Sequence, residues 1–192
     1  MASDLQLLRC KYKDIKLKPM DKGTLPLIVM SGLPGTGKSY LSHRIATEIG
    51  YIVISSDAVR KALVRRPKYT SNEHYRVFRA CHSYIKEVID NKFGVIFDAT
   101  NLNTHAINPL RKIAEANNIE CIIIRCEADE SVIKTRLSLR SHGQNDYESD
   151  ADWSVYMMLK PNQKHIPNCD YIVDSSAEIE WIINELSERI GG

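Results

Sequence analysis

The sequence predicts an α/β fold in which a parallel sheet of about five strands lies between two layers of helices. Short runs of β-branched and other apolar residues alternate with longer segments whose apolar residues recur every three or four positions, which is the helical period. Strands that alternate with helices in this way form parallel sheets with right-handed crossovers. The 192 residues, 43% of them hydrophobic, suit a single domain with a buried core.

The predicted strands are short apolar runs, and the predicted helices lie between them. The strands cover residues 27–30, 51–54, 95–97, 119–125 and 171–173. The helices cover 38–49, 55–64, 70–92, 130–140, 150–159 and 177–190, and one further helix runs to residue 118 from a start after Asn103 or after Asn108. Side chains that can bind free backbone amides are expected to cap three helices, at Thr70, Asp129 and Ser175.

Residues 1–26 are predicted to be an N-terminal extension to a domain of residues 27–192. The segment mixes charged and apolar positions, and Gly23 and Pro26 mark its end. The alternation over residues 10–17 fits an edge strand, and a solvated arm or a leader segment fits equally well. No function is assigned to this segment.

The first strand leads directly into a glycine-rich motif. Residues 32–39 read Gly-Leu-Pro-Gly-Thr-Gly-Lys-Ser, which matches G-x-x-x-x-G-K-[ST] with a strand before it and a helix after it. The glycines allow backbone N–H groups to turn toward phosphates at a helix N-terminus, Lys38 would reach the β- and γ-phosphates, and Ser39 would ligate Mg²⁺. A glycine-rich turn beside an ordinary lysine is the alternative, which the flanking elements disfavour. The motif predicts a P-loop NTPase three-layer sandwich, with nucleotide contacts from Gly32, Leu33, Pro34, Gly35, Thr36, Gly37, Lys38, Ser39 and Tyr40.

Two aspartates follow predicted strands and should face the same crevice as Ser39, because ligands of α/β sheets lie beyond the carboxyl ends of the strands. Asp57 is predicted to be the base that takes a proton from an acceptor hydroxyl, with Arg60 one turn later; an N-cap role for Asp57 is the alternative. Asp98 is predicted to support Mg²⁺ together with Ser39, and the alternative is a bond to the backbone of its own turn.

Two arginines four residues apart, Arg136 and Arg140, precede the polar segment 141–149. They are predicted to belong to a mobile helical lid of about residues 136–152 that closes over the nucleotide, and a solvated helix face is the alternative. Phosphates of the acceptor could contact the basic run Arg60, Lys61, Arg65, Arg66 and Lys68, which a solvated helix face also explains. Tyr40 and Tyr75 are otherwise expected to be packing residues.

Composition excludes several classes of protein. The formal net charge of +2 argues against a protein that coats nucleic acid. Five cysteines without a C-x-x-C pair argue against a disulfide framework and a structural zinc site. No apolar run approaches the roughly 20 residues needed to span a bilayer. These features predict a cytoplasmic protein without a membrane partner, and they leave its oligomeric state open.

Together the motifs resemble those of P-loop kinases of the 5′-hydroxyl polynucleotide kinase-like and zeta-toxin-like group. The resemblance rests on residues 32–39, Ser-Ser-Asp-Ala-Val-Arg at 55–60, Asp-Ala-Thr-Asn-Leu-Asn at 98–103, and the two arginines. It implies that ATP and Mg²⁺ bind at Lys38 and Ser39, that Asp57 is the general base, that Arg60 binds a phosphate of the acceptor, and that Arg140 is the lid cation. Residues 149–152 look more like those of kinases fused to antibiotic-phosphotransferase-like domains.

Three functions are compatible with these residues. The first is transfer of the γ-phosphate of ATP to an alcohol, with the 5′-hydroxyl of a nucleic acid as the most concrete acceptor. The second is a small-molecule kinase acting on a metabolite or antibiotic. The third is a P-loop ATPase switch, which is disfavoured because such proteins commonly receive an arginine from a neighbour, whereas this chain carries two of its own.

Overall fold

The computed structural model describes residues 3–15, 25–141, 149–163, 166 and 169–191. Its sheet has five parallel strands, as predicted, in the order β2-β3-β1-β4-β5. The strands are β1 (Leu27–Ser31), β2 (Ile52–Ser55), β3 (Val95–Asp98), β4 (Cys121–Glu127) and β5 (Tyr171–Asp174).

Helices cover both faces of the sheet, which confirms the predicted sandwich. They are α1 (Asp4–Tyr12), α2 (Lys38–Ile49), α3 (Ser56–Leu63), α4 (Ser71–Asp90), α5 (Thr104–Ala116), α6 (Glu130–Ser141), α7 (Trp153–Leu159) and α8 (Glu180–Gly191), with a 3₁₀ turn at Lys160–Asn162.

The central strand β1 divides the core into two layers. Every residue of β1 is buried, as expected for a parallel strand that helices cover on both faces. Leu27 and Val29 pack with α1, α3, α4 and α5 on one face, whereas Ile28 and Met30 pack with α2 and α8 on the other. This alternation follows from the two-residue period of a strand.

The N-terminal segment forms a helix that docks on the domain. Ser3 and Gln6 form a capping box at the start of α1, and Leu8 and Tyr12 are buried in the core layer formed with α3 and α4. The ring of Tyr12 stacks on Tyr84 at a centroid distance of 5.2 Å. The edge-strand alternative is therefore wrong for residues 10–12, and residues 16 and 17 lie outside the described part of the chain.

The structure decides the start of one predicted helix and corrects the start of another. Helix α5 takes the earlier of its two starts, because the Asn103 side chain accepts the amide of Ala106 at 3.1 Å, and Pro109 is accommodated inside the helix. Helix α8 begins at Glu180, so the predicted cap at Ser175 is wrong. The Ser175 hydroxyl instead accepts a hydrogen bond from Arg136.

The structure also describes the state of the cysteines and the apolar character of the helices. All five cysteines are free thiols, two of them buried. In the described ranges, no helix combines the length and the apolar character needed to cross a bilayer.

Candidate active site

The glycine-rich motif forms a tight loop between β1 and α2. Gly37 is the N-cap of α2 with a φ of 84°, and a Cβ there would lie 2.7 Å from the Ser175 hydroxyl. Gly32 has a φ of 142°, and a Cβ there would lie 2.5 Å from the carbonyl oxygen of Cys126. Both positions therefore require glycine, and the loop brings backbone N–H groups to the start of a 12-residue helix, where an anion is stabilised.

Lys38 lies inside this loop. Its side chain is buried, and Nζ donates a hydrogen bond of 2.8 Å to the carbonyl oxygen of Leu33, the second residue of the motif. Burial lowers the pKa of the Lys38 ammonium, and the nearby Asp98 carboxylate opposes the shift. A bound phosphate would offer this ammonium a stronger partner than the carbonyl does.

Ser39 and Asp98 are in direct contact. The Ser39 hydroxyl donates to Oδ2 of Asp98 at 2.6 Å, and Asp98 is only 4% exposed at the carboxyl end of β3. Burial raises the pKa of Asp98, whereas Lys38 and the hydrogen bond from Ser39 act in the opposite direction. The alternative in which Asp98 bonds its own turn is not what the structure shows.

A hydroxyl and a carboxylate are oxygen ligands that suit Mg²⁺. Within the described residues, no group of three or more His, Cys, Asp or Glu side chains could hold a metal ion by itself. The pair of Ser39 and Asp98 therefore fits an ion that takes its other ligands from phosphates and water, as Mg²⁺ does in phosphoryl-transfer sites.

Asp57 faces the same cavity as Ser39 and Asp98. The cavity has a volume of about 540 Å³, and the three side chains belong to three separate elements, α3, α2 and β3. The N-cap alternative for Asp57 is wrong, because Ser55 caps α3 by accepting the amide of Ala58 at 3.3 Å. The role of Asp57 as a base stays a prediction.

Arg60 is buried and forms an ion pair within the domain. It is 5% exposed, its Nη1 donates to Oε1 of Glu73 at 2.5 Å, and its guanidinium lies 4.8 Å from the ring centroid of Tyr69. The second carboxylate oxygen of Glu73 accepts the backbone amide of Lys68 at 2.8 Å. In this structure Arg60 therefore joins α3 to the start of α4, and the solvated-face alternative is wrong for this residue.

The remaining members of the basic run are exposed. Lys61 pairs with Asp150 at 3.0 Å, while Arg65, Arg66 and Lys68 lie between α3 and α4. The run does not form one surface, because Arg60 is withdrawn from it.

The two arginines of α6 have different environments. Nη1 of Arg136 donates to the carbonyl of Gly35 at 3.3 Å and to the hydroxyl of Ser175 at 2.8 Å, so it joins the glycine-rich loop to the end of β5. Arg140 is partly buried; burial lowers the pKa of its guanidinium, and the charges of Asp57 and Asp98 oppose the shift. A solvated face is therefore wrong for Arg136. Residues 142–148 of the predicted lid lie outside the described residues.

Tyr40 and Tyr75 do not pack in the core. Their exposed fractions are 43% and 68%, which shows that the packing interpretation is wrong for both. The Tyr40 hydroxyl accepts a hydrogen bond from Arg44 at 3.1 Å on the outer face of α2. Nucleotide contact by Tyr40 stays a prediction.

A family model decides the relationship of this chain to known proteins. The model AAA_33, described as an AAA domain, matches residues 27–160. The chain belongs to the AAA_33 family. The match covers the glycine-rich motif, Asp57, Asp98 and both arginines of α6, and it begins after α1.

Individual relatives of this AAA_33 chain include kinases. The L-seryl-tRNA(Sec) kinase of Methanococcus maripaludis is 28% identical over an alignment of 173 positions, which covers 84% of this chain and 65% of that protein. Uncharacterized proteins of Mycobacterium tuberculosis and Mycobacterium bovis are 24% identical, and the matched residues are 32% of their length. The chain thus spans less than two thirds of these relatives.

Two solved structures share the fold. A candidate kinase of Chloroflexus aurantiacus has a TM-score of 0.69 at 17% identity, over 88% of this chain and 97% of that one. The APS kinase CysC of Mycobacterium tuberculosis, in complex with AMPPNP and APS, has a TM-score of 0.64 at 15% identity, over 89% of this chain and 100% of that one. Both likenesses confirm the P-loop sandwich. The narrower polynucleotide kinase-like or zeta-toxin-like group stays a prediction.

Asn101 is a site residue to which the sequence analysis assigned no role. It is 1% exposed with a φ of 43°, and its Nδ2 donates to the carbonyl of Met30 at 2.8 Å. Its own carbonyl accepts the Ser31 hydroxyl at 2.9 Å, and the carbonyl of Thr100 accepts the amide of Gly32 at 2.9 Å. Asn101 therefore holds the end of β1 where the glycine-rich loop begins. In the sequence, the signal for this role is an asparagine shortly after the strand that ends at Asp98, because asparagine tolerates a positive φ better than most residues.

Proposed function

We propose that this AAA_33 domain is an ATP-dependent phosphotransferase that moves the γ-phosphate to the hydroxyl of an alcohol. The observation that carries the proposal is the shared cavity. Asp57 lines this cavity together with the hydrogen-bonded pair of Ser39 and Asp98, and Ser39 directly follows the buried Lys38 of the glycine-rich loop. A hydrolytic switch commonly receives its arginine from a neighbouring protein, whereas Arg136 and Arg140 lie on α6 of this chain.

Each residue has a definite task in this reaction. The loop amides and Lys38 bind the β- and γ-phosphates, and Ser39 and Asp98 hold Mg²⁺, which supplies positive charge to the phosphate oxygens. Asp57 accepts the proton of the acceptor hydroxyl while the hydroxyl oxygen bonds to the γ-phosphorus and the bond from that phosphorus to the leaving oxygen of ADP breaks. Arg140, which interacts electrostatically with Asp57 and Asp98, balances the negative charge of the transferred group.

A small molecule is the acceptor that the geometry favours. The sequence-based preference for a nucleic-acid 5′-hydroxyl depended on Asp57 with Arg60 and on the basic run after it, and of these Arg60 is bound by Glu73 and covered by Tyr69. A cavity of about 540 Å³ lies in the range typical of small-ligand sites.

A nucleic-acid hydroxyl is the second candidate acceptor. The relative that acts on L-seryl-tRNA(Sec) matches 84% of this chain, and Arg65 and Arg66 are exposed beside α3. Basic side chains of this kind bind phosphates without reading sequence.

The test is transfer of labelled phosphate from Mg·[γ-³²P]ATP to a panel of acceptors. The panel contains small hydroxy acids and diols, 5′-hydroxyl DNA and RNA oligonucleotides, and seryl-tRNA. Asp57→Asn should lower transfer by about 10²- to 10⁴-fold, the usual contribution of a general base, and leave binding of Mg·ATP intact. Asp90→Asn, on an exposed position of α4, is the matched control and should behave as the wild type.

Two results would contradict the proposal. If the chain binds Mg·ATP and hydrolyses it while labelling no acceptor, the switch function replaces the phosphotransferase. If Asp57→Asn and Asp90→Asn transfer phosphate equally well, Asp57 is not the base. Labelling of oligonucleotides alone would favour the second acceptor class over the first.

A further inference from the structure

The cavity at Asp57 continues along the free edge of the sheet. Among the described residues, strand β2 is an edge strand that pairs with β3 alone. Both its last residue, Ser55, and its first, Ile52, line the cavity. Three steps of about 3.3 Å separate these residues, so the cavity follows the strand for roughly 10 Å. We call this space the edge groove.

Helix α2 forms a second wall of the edge groove. Ser39, His43 and Thr47 all line it, and their spacing of four residues places them on one face of the helix. This stripe begins at the predicted Mg²⁺ ligand Ser39 and runs away from the nucleotide. A molecule in the groove would therefore have one end at the reacting phosphate.

Helix α1 and the residues after it close the far end. Lys11, Tyr12 and Ile15 line the edge groove, and Tyr12, Ile15 and Ile52 also line a neighbouring cavity of about 210 Å³ that reaches Phe93, just before β3. Because Phe93 lies at the amino end of the sheet, this wall is at the end away from Asp57. The matched family segment begins only at residue 27, so this wall lies outside it.

The lining has a defined chemical character. Apolar side chains line the groove between its ends, among them Ala46 and Val53; the carboxylates of Asp57 and Asp98 stand at one end, and the basic residue Lys11 lies at the other beside Ile15. Tyr51 also lines the groove; it is 4% exposed, and its hydroxyl has no hydrogen-bond partner among the described residues. A buried hydroxyl without a partner is unfavourable, and a ligand whose polar group reached it would satisfy it.

We infer that the edge groove is the acceptor site, and that its acceptor is an alcohol with an apolar body and an anionic group roughly 10 Å from the reacting hydroxyl. The hydroxyl lies at Asp57, which takes its proton as the oxygen bonds to the γ-phosphorus and ADP leaves. Lys11 binds the anionic group. This inference rests on the proposed function and names the substrate class for it.

The test uses two probes that differ only at the distal end. 8-Hydroxyoctanoate has a hydroxyl, an apolar chain of matching length and a carboxylate, whereas 1,8-octanediol carries a second hydroxyl in place of the carboxylate. Transfer from Mg·[γ-³²P]ATP should occur to both, with the lower KM for the acid. Lys11→Glu should raise the KM for the acid by about two- to five-fold, the effect of losing one exposed ion pair, and change that for the diol much less.

Matched variants separate contact from general effects. Lys13→Glu makes the same charge change two residues along, at a position that does not line the groove, and should leave both KM values near those of the wild type. Thr47→Trp places a large ring on the α2 stripe and should weaken both probes. Glu48→Trp places the same ring on the next residue of α2, outside the lining, and should not.

The inference is overturned if Lys11→Glu and Lys13→Glu act alike, if Thr47→Trp leaves both probes unaffected, or if neither probe accepts phosphate or competes with an identified acceptor. Binding of a fluorescent ATP analogue is measured in parallel. If neither probe accepts phosphate while the chain still binds the nucleotide and phosphorylates another acceptor, only the edge groove is contradicted. Absence of transfer to every acceptor contradicts the proposed function itself.

Discussion

Leu8 tests whether the N-terminal helix is an integral part of the domain. Its side chain is 0% exposed and belongs to the core layer that α1 shares with α3 and α4. Leu8→Ala removes buried methyl groups and leaves a cavity, because the flanking helices are held by the sheet. Such changes cost about 2–5 kcal/mol, and for Leu8 we expect about 3 kcal/mol of the free energy of unfolding.

Leu7 provides a matched control on the same helix. It is 36% exposed, so Leu7→Ala removes little buried surface, and alanine is a slightly better helix former than leucine. We expect a loss of less than about 1 kcal/mol for this variant, as is usual for surface substitutions.

Urea unfolding monitored by circular dichroism measures both variants. With a slope of about 2–3 kcal/mol per molar urea, Leu8→Ala should lower the midpoint by about 1–1.5 M. In thermal unfolding the same loss corresponds to a Tm lowered by about 6–12 °C for a chain of this size. Equal midpoints for the two variants would refute the docking of α1, and the distal wall of the edge groove would be lost with it.

Three further predictions concern the site and its support. Asn101→Ala should weaken binding of Mg·ATP, because it releases the end of β1. Asn117→Ala removes an equally short hydrogen bond from a side chain to the backbone, far from the site, and should leave the affinity unchanged. Equal affinities of the two variants for Mg·ATP would contradict this role of Asn101. Gly94→Ala should cost about 1–3 kcal/mol in urea unfolding, because its Cβ would lie 2.2 Å from the ring of Tyr51, and an unchanged midpoint would show that the ring can move. Lys38→Met should abolish the rise in Tm that Mg·ATP gives the wild type, since a ligand stabilises only a protein that binds it, and a rise of the same size in both would rule out the phosphate contact.

The sequence by itself determined the features that depend on neighbours a few residues away. The glycine-rich loop is built from eight consecutive residues between a strand and a helix, so its motif and its flanks were sufficient to recognise it. The five strands follow from local composition in the same way. So does the cap at Thr70, whose hydroxyl accepts the amide of Glu73 three residues later. The sequence also predicts that Asp57 and Asp98 lie near each other, because both follow strands whose carboxyl ends face one crevice.

Only the tertiary structure decided the partners of the charged side chains. Arg60 looks like a solvated or ligand-binding residue within α3, but its partner Glu73 lies on another helix. Arg136 donates a hydrogen bond to Ser175, which is 39 residues later in the chain. Ser175, predicted to cap a helix, therefore lies beside the glycine-rich loop instead. The periodicity of one helix shows which of its faces is apolar, but it cannot show which charged group of another element that face will meet.

The N-terminal segment shows the same division most clearly. Its sequence allowed a strand or a solvated arm, because residues 1–26 have too weak a period to specify an element. In the structure, docking on α3 and α4 buries Leu8 and Tyr12 and stabilises a helix that local preference alone would leave marginal. Short helices depend on tertiary packing for most of their stability, and for that reason both α1 and the groove wall that it contributes became visible only in the folded chain.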